Sequence, residues 1–172
     1  MTDFIFPPGL VLILGAFILP FVSGQIKSAL TLLLPLISLG LVQSVPDGVS
    51  LSIPFMHFQL ELLDGSNLSR LFATIFALMA FAGGLFALNQ KSTMEMSSAF
   101  AYAGSAIGVA FAGDLITMFI YWELMAVGSS LVIWSAMTDA SYKSSMRYIL
   151  MHLLGGVILM VGVVGHVVDT GS

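Results

Sequence analysis

The chain is predicted to be an all-α membrane protein with about six transmembrane helices and a short external β-hairpin between helices 2 and 3. Three observations point there. Of 172 residues, 58% are hydrophobic and only 8% charged, with a mean hydropathy of +1.04. A soluble domain of this size needs more polar surface than that. The apolar residues gather into runs long enough to cross a bilayer, and one polar stretch alternates with a period of two.

A helix rises 1.5 Å per residue and the hydrocarbon core is about 30 Å thick, so a span needs roughly 20 mostly apolar residues. The predicted spans are Pro8–Ser23, Ser28–Gln43, Leu68–Leu88, Met96–Ala112, Asp114–Met137 and Tyr142–Val168. Met96 to Met137 is too long for one span; Gly113-Asp114 supplies a turn and an N-cap carboxylate for the second helix. Between the second and third spans lies the polar segment Ser44–Asn67. Val49-Ser-Leu-Ser-Ile-Pro-Phe and Met56-His-Phe-Gln-Leu-Glu-Leu alternate there as short strands do, and Asp64-Gly-Ser-Asn forms the turn into the third helix. Lys27, Lys91, Lys143 and Arg147 fall at one end of these spans and Arg70 at the other. That bias puts the first end in the cytoplasm, with both termini and the hairpin outside. Glycines at Gly83-Gly84, Gly104-x-x-x-Gly108 with Ala112 beyond, Gly155-Gly156 and Gly162-x-x-Gly165 read as helix packing surfaces.

Composition also bounds function. With no cysteine there is no disulfide, thiolate cluster or cysteine zinc site. No metal or cofactor is expected. The acidic residues are dispersed and no basic patch exists for nucleic acid. Met-Thr-Asp-Phe-Ile-Phe-Pro-Pro lacks the basic start of a cleaved signal, so the first apolar segment is expected to persist as a helix. No internal repeat or linker appears, and residues 1–172 read as a single transmembrane unit.

The chemistry centres on Glu123, which lies nine residues, about 13.5 Å, into the fifth span and so near the midplane of the bilayer. A carboxylate at that depth is costly without a partner or a proton to carry, and such groups mark ion pathways. It is read as a proton carrier whose affinity follows the approach or withdrawal of a cation. The competing reading is a structural carboxyl hydrogen-bonded between helices. His152, in the antiparallel last helix, reaches a similar depth and is either a relay partner or a hydrogen-bonded packing residue. Arg147 is either a pathway cation or a side chain extending to the interface. Trp122, Tyr121, Trp134 and Tyr148 read as packing and interfacial aromatics. His152 and His166 share a helical face about 21 Å apart, a spacing stacked haems use. The matching second pair is missing, because His57 falls in the hairpin.

The stretch Leu63-Asp-Gly-Ser-Asn-Leu-Ser-Arg-Leu-Phe resembles the Asp-Gly-Leu-Ser-(Arg)-Leu-Phe start of the third helix in proton-conducting antiporter-like subunits. These occur in Mrp-type multisubunit sodium/proton antiporters, where the D subunit is the nearest in kind, and in respiratory complex I. Gly113-Asp-Leu-Ile-Thr-Met-Phe-Ile-Tyr-Trp-Glu-Leu-Met is similar to the family's Asp-Leu-Leu…Trp-Glu-Leu pattern, and Tyr142-Lys-Ser-Ser-Met-Arg-Tyr-Ile-Leu…Gly-Gly to its sixth-helix start, with Arg147 at the lysine position. The resemblance implies that Glu123 matches the family's fifth-helix glutamate, which works against a seventh-helix lysine. Ser66-Asn67 departs from the motif as an insert. The chain ends at Asp169-Thr-Gly-Ser, before the family's broken seventh helix, so the lysine is expected from a continuation or another polypeptide. The implied function is proton translocation within a hetero-oligomeric complex of a bacterial cytoplasmic membrane. Its partners would be other membrane subunits, protons, sodium and the lipid bilayer. Alternatives are the equivalent subunit of NADH:quinone oxidoreductase or a membrane-bound hydrogenase, and a structural or assembly subunit without transport of its own.

Overall fold

A computed structural model describes residues 6–55, 58–89 and 92–170. Six α-helices appear in chain order: α1 Pro8–Ile18, α2 Gly24–Ser44, α3 Asn67–Phe86, α4 Thr93–Phe111, α5 Leu115–Trp134 and α6 Asp139–Thr170. Short 3-10 turns, Leu19–Phe21 and Ala87–Asn89, follow α1 and α3. Strands β1 Ser50–Phe55 and β2 Phe58–Asp64 form an antiparallel pair between α2 and α3. The all-α membrane class and the hairpin are therefore as predicted. Predicted strand residues Met56 and His57, the anchor Lys91 and the first five residues lie outside the described set.

Helices α2, α3 with its 3-10 turn, α5 and α6 are long and apolar enough to cross a membrane, and Pro8–Phe21 is a shorter apolar helix. The sixth, α4, has the length but carries Glu95 and several Ser and Gly residues. It buries Gly104, Ser105, Gly108 and others against α1, α3 and α5. A helix surrounded by other helices uses small residues for close approach and needs little apolar surface of its own.

The predicted helix ends shift where local hydrogen bonding decides. Ser92 caps α4 by accepting from the Glu95 amide at 3.2 Å, so the helix starts at Thr93, three residues before the predicted Met96. Helix α5 stops at Trp134 instead of Met137, because Ser135 N bonds back to Leu131 and Val132 and Met137 turns left-handed at φ 54°. A reciprocal pair follows: Thr138 Oγ1 accepts from Ser141 N and Ser141 Oγ from Thr138 N, each at 3.0 Å. They start α6 at Asp139, three residues early, and make it 32 residues long.

The core is formed by α1 to α4 and β2, with Leu12, Leu19, Val42, Leu63 and Ile107 fully buried. Two contacts set the helix approach. Gly9 and Gly104 meet backbone to backbone, so that a Cβ on Gly104 would fall 2.5 Å from Gly9 O and 2.9 Å from Ile13 N. On the other side, Pro35 within α2 cannot donate to the Thr31 carbonyl, and Gly84 of α3 approaches that freed oxygen. Of the predicted glycine surfaces, Gly83, Gly155, Gly162 and Gly165 meet nothing within 4 Å among the described residues.

The hairpin is anchored to the bundle. Leu60 and Leu63 are both buried although three residues apart, which a regular strand forbids; a bulge opposite Leu51/Ser52 restores the common face. Asp114 caps α5 through Oδ1, accepting from Ile116 N at 2.8 Å and Thr117 N at 2.9 Å. Its Oδ2 accepts from Glu61 N of β2 at 2.7 Å, and Gly113 N donates to Glu61 O at 3.0 Å. Asn at 114 has one acceptor oxygen, so D114N is expected to keep the cap and free the hairpin, while D114A loses both and costs about 1–2 kcal/mol more. Amide exchange at Glu61 would rise in both variants, and only D114A would lower the melting temperature appreciably.

The ends of the bundle sort the cations. Lys27 Nζ at the start of α2 donates to Thr93 Oγ1 at the start of α4 at 2.7 Å. The antiparallel course of the helices places Lys143 and Arg147 at that same end. At the hairpin end, Arg70 pairs with Asp47 and donates to Val45 O at 2.9 Å and to Asn67 Oδ1 at 2.7 Å. Ser66 caps α3, accepting from Ser69 N at 3.1 Å. The inserted Ser66-Asn67 thus serves as a cap and as a ligand for Arg70.

Candidate functional site

Helix α6 touches the rest of the chain through α5. The contact face of α6 is a stripe at helical spacing in which Ser145 and Gly156 are buried, His152 is partly buried and Val163 is again buried. Its opposite face leaves Leu150, Met151, Leu154, Ile158 and Val161 exposed. Two contacts fix the antiparallel register. Ser145 Oγ donates to Ser130 O at 2.8 Å, and His152 Nε2 lies 3.6 Å from Glu123 Oε1. The second contact is seven residues from the first on each helix, two turns along both.

Glu123 and His152 therefore meet. Their side chains keep 25% and 15% of their surface accessible, so this chain does not by itself enclose the carboxyl. The facing atoms, however, are both buried, and neither has a hydrogen-bond partner among the described residues. At 3.6 Å the pair is too long for a hydrogen bond, and closing by about 0.5 Å would make one. A proton between them has two seats on one axis: on the carboxyl, donating to neutral Nε2, or on the imidazole, donating to the carboxylate.

His152 has two aromatic neighbours. Its ring stacks on Trp122 with centroids 5.9 Å apart and on Tyr148 at 6.0 Å, with interplanar angles of 26° and 25°. Two of the aromatics predicted as packing residues thus orient the imidazole. Trp134 packs instead on Tyr142, and Tyr121 is buried against Gly108 of α4. Arg147 is not part of the pair. It is exposed, five residues before His152 and about 140° around α6. His166 is exposed near the end of α6, and His57 lies outside the described residues. Among the described residues no group of three or more His, Asp or Glu gathers as metal ligands do.

One contributor was read from sequence only as packing. A Cβ on Gly156 would overlap Glu123 Oε1 and lie 3.2 Å from its Cδ. The carboxyl rests in the notch that this glycine leaves in α6. The signal was present as the spacing of four from His152 to Gly156, which puts both on one face.

Residues 112–172, the turn before α5 together with α5 and α6, match the family described as NADH:quinone oxidoreductase/Mrp antiporter, TM. The resembling stretch around Leu63 to Phe72 lies outside that match. No curated protein matches the chain. Among solved structures, a chain of the membrane-bound sulfane sulfur reductase (MBS), an archaeal respiratory membrane complex, has the same fold. Its TM-score is 0.77 at 19% identity over 95% of this chain. The chain spans 37% of the length of that MBS chain. The segment that carries Glu123 and His152 is thus the part of the chain that is similar to the antiporter-like subunit family.

Proposed function

We propose that the chain is the N-terminal six-helix part of an antiporter-like subunit that moves protons across a membrane within a multisubunit complex. Glu123 binds and releases the proton. The observation that carries this reading is the buried Oε1 of Glu123 facing buried Nε2 of His152 in the family-matched segment. A carboxyl and an imidazole in one contact exchange a proton without crossing open lipid. The resemblance supplies the remaining element, a lysine from helices beyond this chain, whose approach changes the proton affinity of Glu123. Residues 1–172 act as a single transmembrane unit. The cation-rich end lies in the cytoplasm and the hairpin outside, in a bacterial cytoplasmic membrane. Sodium is the coupling ion in the Mrp-type setting.

The likeness to MBS favours a second setting, in which redox-active subunits of a respiratory or hydrogenase-type complex drive the same proton step. Proton movement driven by a sodium gradient in reconstituted vesicles supports the first; movement only with an electron donor and acceptor supports the second. The Glu123 role is tested by E123Q in the assembled complex, and transport that survives it refutes the role.

His152→Phe keeps an aromatic ring beside Trp122 and Tyr148 but cannot carry a proton. Proton movement is expected to fall about tenfold or more, with an altered pH profile. An unchanged rate would assign His152 to packing. For Arg147, which stands apart from the pair, an interfacial role is favoured, and R147K is expected to retain transport.

A further inference from the structure

We propose that Gly156 is a positioning residue: the notch it leaves in α6 sets the separation between Glu123 and His152. This deepens the proton-transfer reading of Glu123 and rests on it. The imidazole has little freedom to follow a moved carboxyl, because its ring stacks with both Trp122 and Tyr148. The distance between the two groups is therefore decided by where the Glu123 side chain lies. That place is the surface of Gly156, where an added methyl would clash with Oε1 and crowd Cδ at 3.2 Å. No atom of the α5 backbone or of any other side chain is among the three nearest contacts.

The consequence is specific. The clashing group is the free end of a side chain with three rotatable bonds, so Gly156→Ala is relieved by swinging the carboxyl aside while α5 and α6 stay packed. The Ser145–Ser130 contact, two to three turns away, keeps the register. Ala at 156 thus separates acid from base without unfolding the helix. Gly155 and Gly162 are the natural controls, since a methyl at either meets nothing within 4 Å.

The experiment compares wild type, G156A, G155A, G162A and E123Q in the assembled complex. It measures proton translocation in vesicles and the carboxyl vibrational bands by infrared difference spectroscopy, with E123Q assigning the Glu123 band. G156A is expected to shift that band, to lower translocation about 10- to 100-fold, and to leave assembly and thermal stability as in wild type. G155A and G162A are expected to match wild type in the band. A Glu123 band unmoved in G156A overturns the proposal, whether or not transport falls; loss of transport with an unmoved band and a lowered melting temperature would mean a packing role alone. If E123Q itself transports normally, the proton-carrier reading fails, and the band shift still decides whether Gly156 places the carboxyl.

Discussion

Proton translocation is expected to fall by about 100-fold or more, to the leak of protein-free vesicles, when Glu123 is replaced by Gln in the assembled complex. Gln has the same shape and still offers an oxygen toward His152 and Gly156, yet it neither binds nor releases a proton. Removing a group that transfers protons costs 10²–10⁴ in rate when no other group replaces it. Among the described residues, Glu123 is the one carboxylate within ion-pair distance of His152. Folding should survive, since the core lies among α1 to α4 and β2 and does not include Glu123. Assembly yield measured alongside transport separates the two effects. Rates near wild type in correctly assembled E123Q would remove the chemistry from this chain and leave it a structural subunit.

Gly104→Ala is expected to be strongly destabilising, at about 3 kcal/mol or more. Its Cβ would sit 2.5 Å from Gly9 O, 2.8 Å from Ile13 Cγ1 and 2.9 Å from Ile13 N. Two of those three are backbone atoms, so relief requires α1 to move away from α4. Separation would open the packing around Leu12, Leu19 and Ile107. The same change at Gly40, where nothing lies within 4 Å, should be close to neutral. Unfolding by denaturing detergent titrated into bicelles gives the comparison, and equal midpoints for G104A and G40A would refute the close crossing of α1 and α4.

The fold was legible because lipid imposes a simple rule: backbone groups must be satisfied internally, so long apolar runs become helices. Asp114 could be read as a cap because a carboxylate beside Gly113 has few other uses at the start of an apolar helix. Its second bond, to Glu61, could not be read, since it joins segments 53 residues apart. Helix ends were legible only to a few residues. The reciprocal Thr138–Ser141 pair and the left-handed Met137 involve choices among nearby polar groups that apolarity does not decide. The low hydropathy of α4 shows the opposite limit: an interior helix need not resemble a lipid-facing one.

Sequence by itself determined the membrane class, the hairpin, the two ends of the bundle by charge, and Glu123 as the residue whose placement demands an explanation. These follow from local quantities, namely run length, alternation and the cost of a carboxyl in hydrocarbon. Only the tertiary structure decided that His152 meets Glu123, that Trp122 and Tyr148 hold the imidazole, that Arg147 faces elsewhere, and that Gly156 makes room for the carboxyl. Those depend on the rotation and register of α6 against α5, which the Ser145–Ser130 contact sets to within one residue. A shift of one residue turns a helix by about 100°, enough to take His152 out of contact, and nothing in the spacing of apolar residues is that sharp.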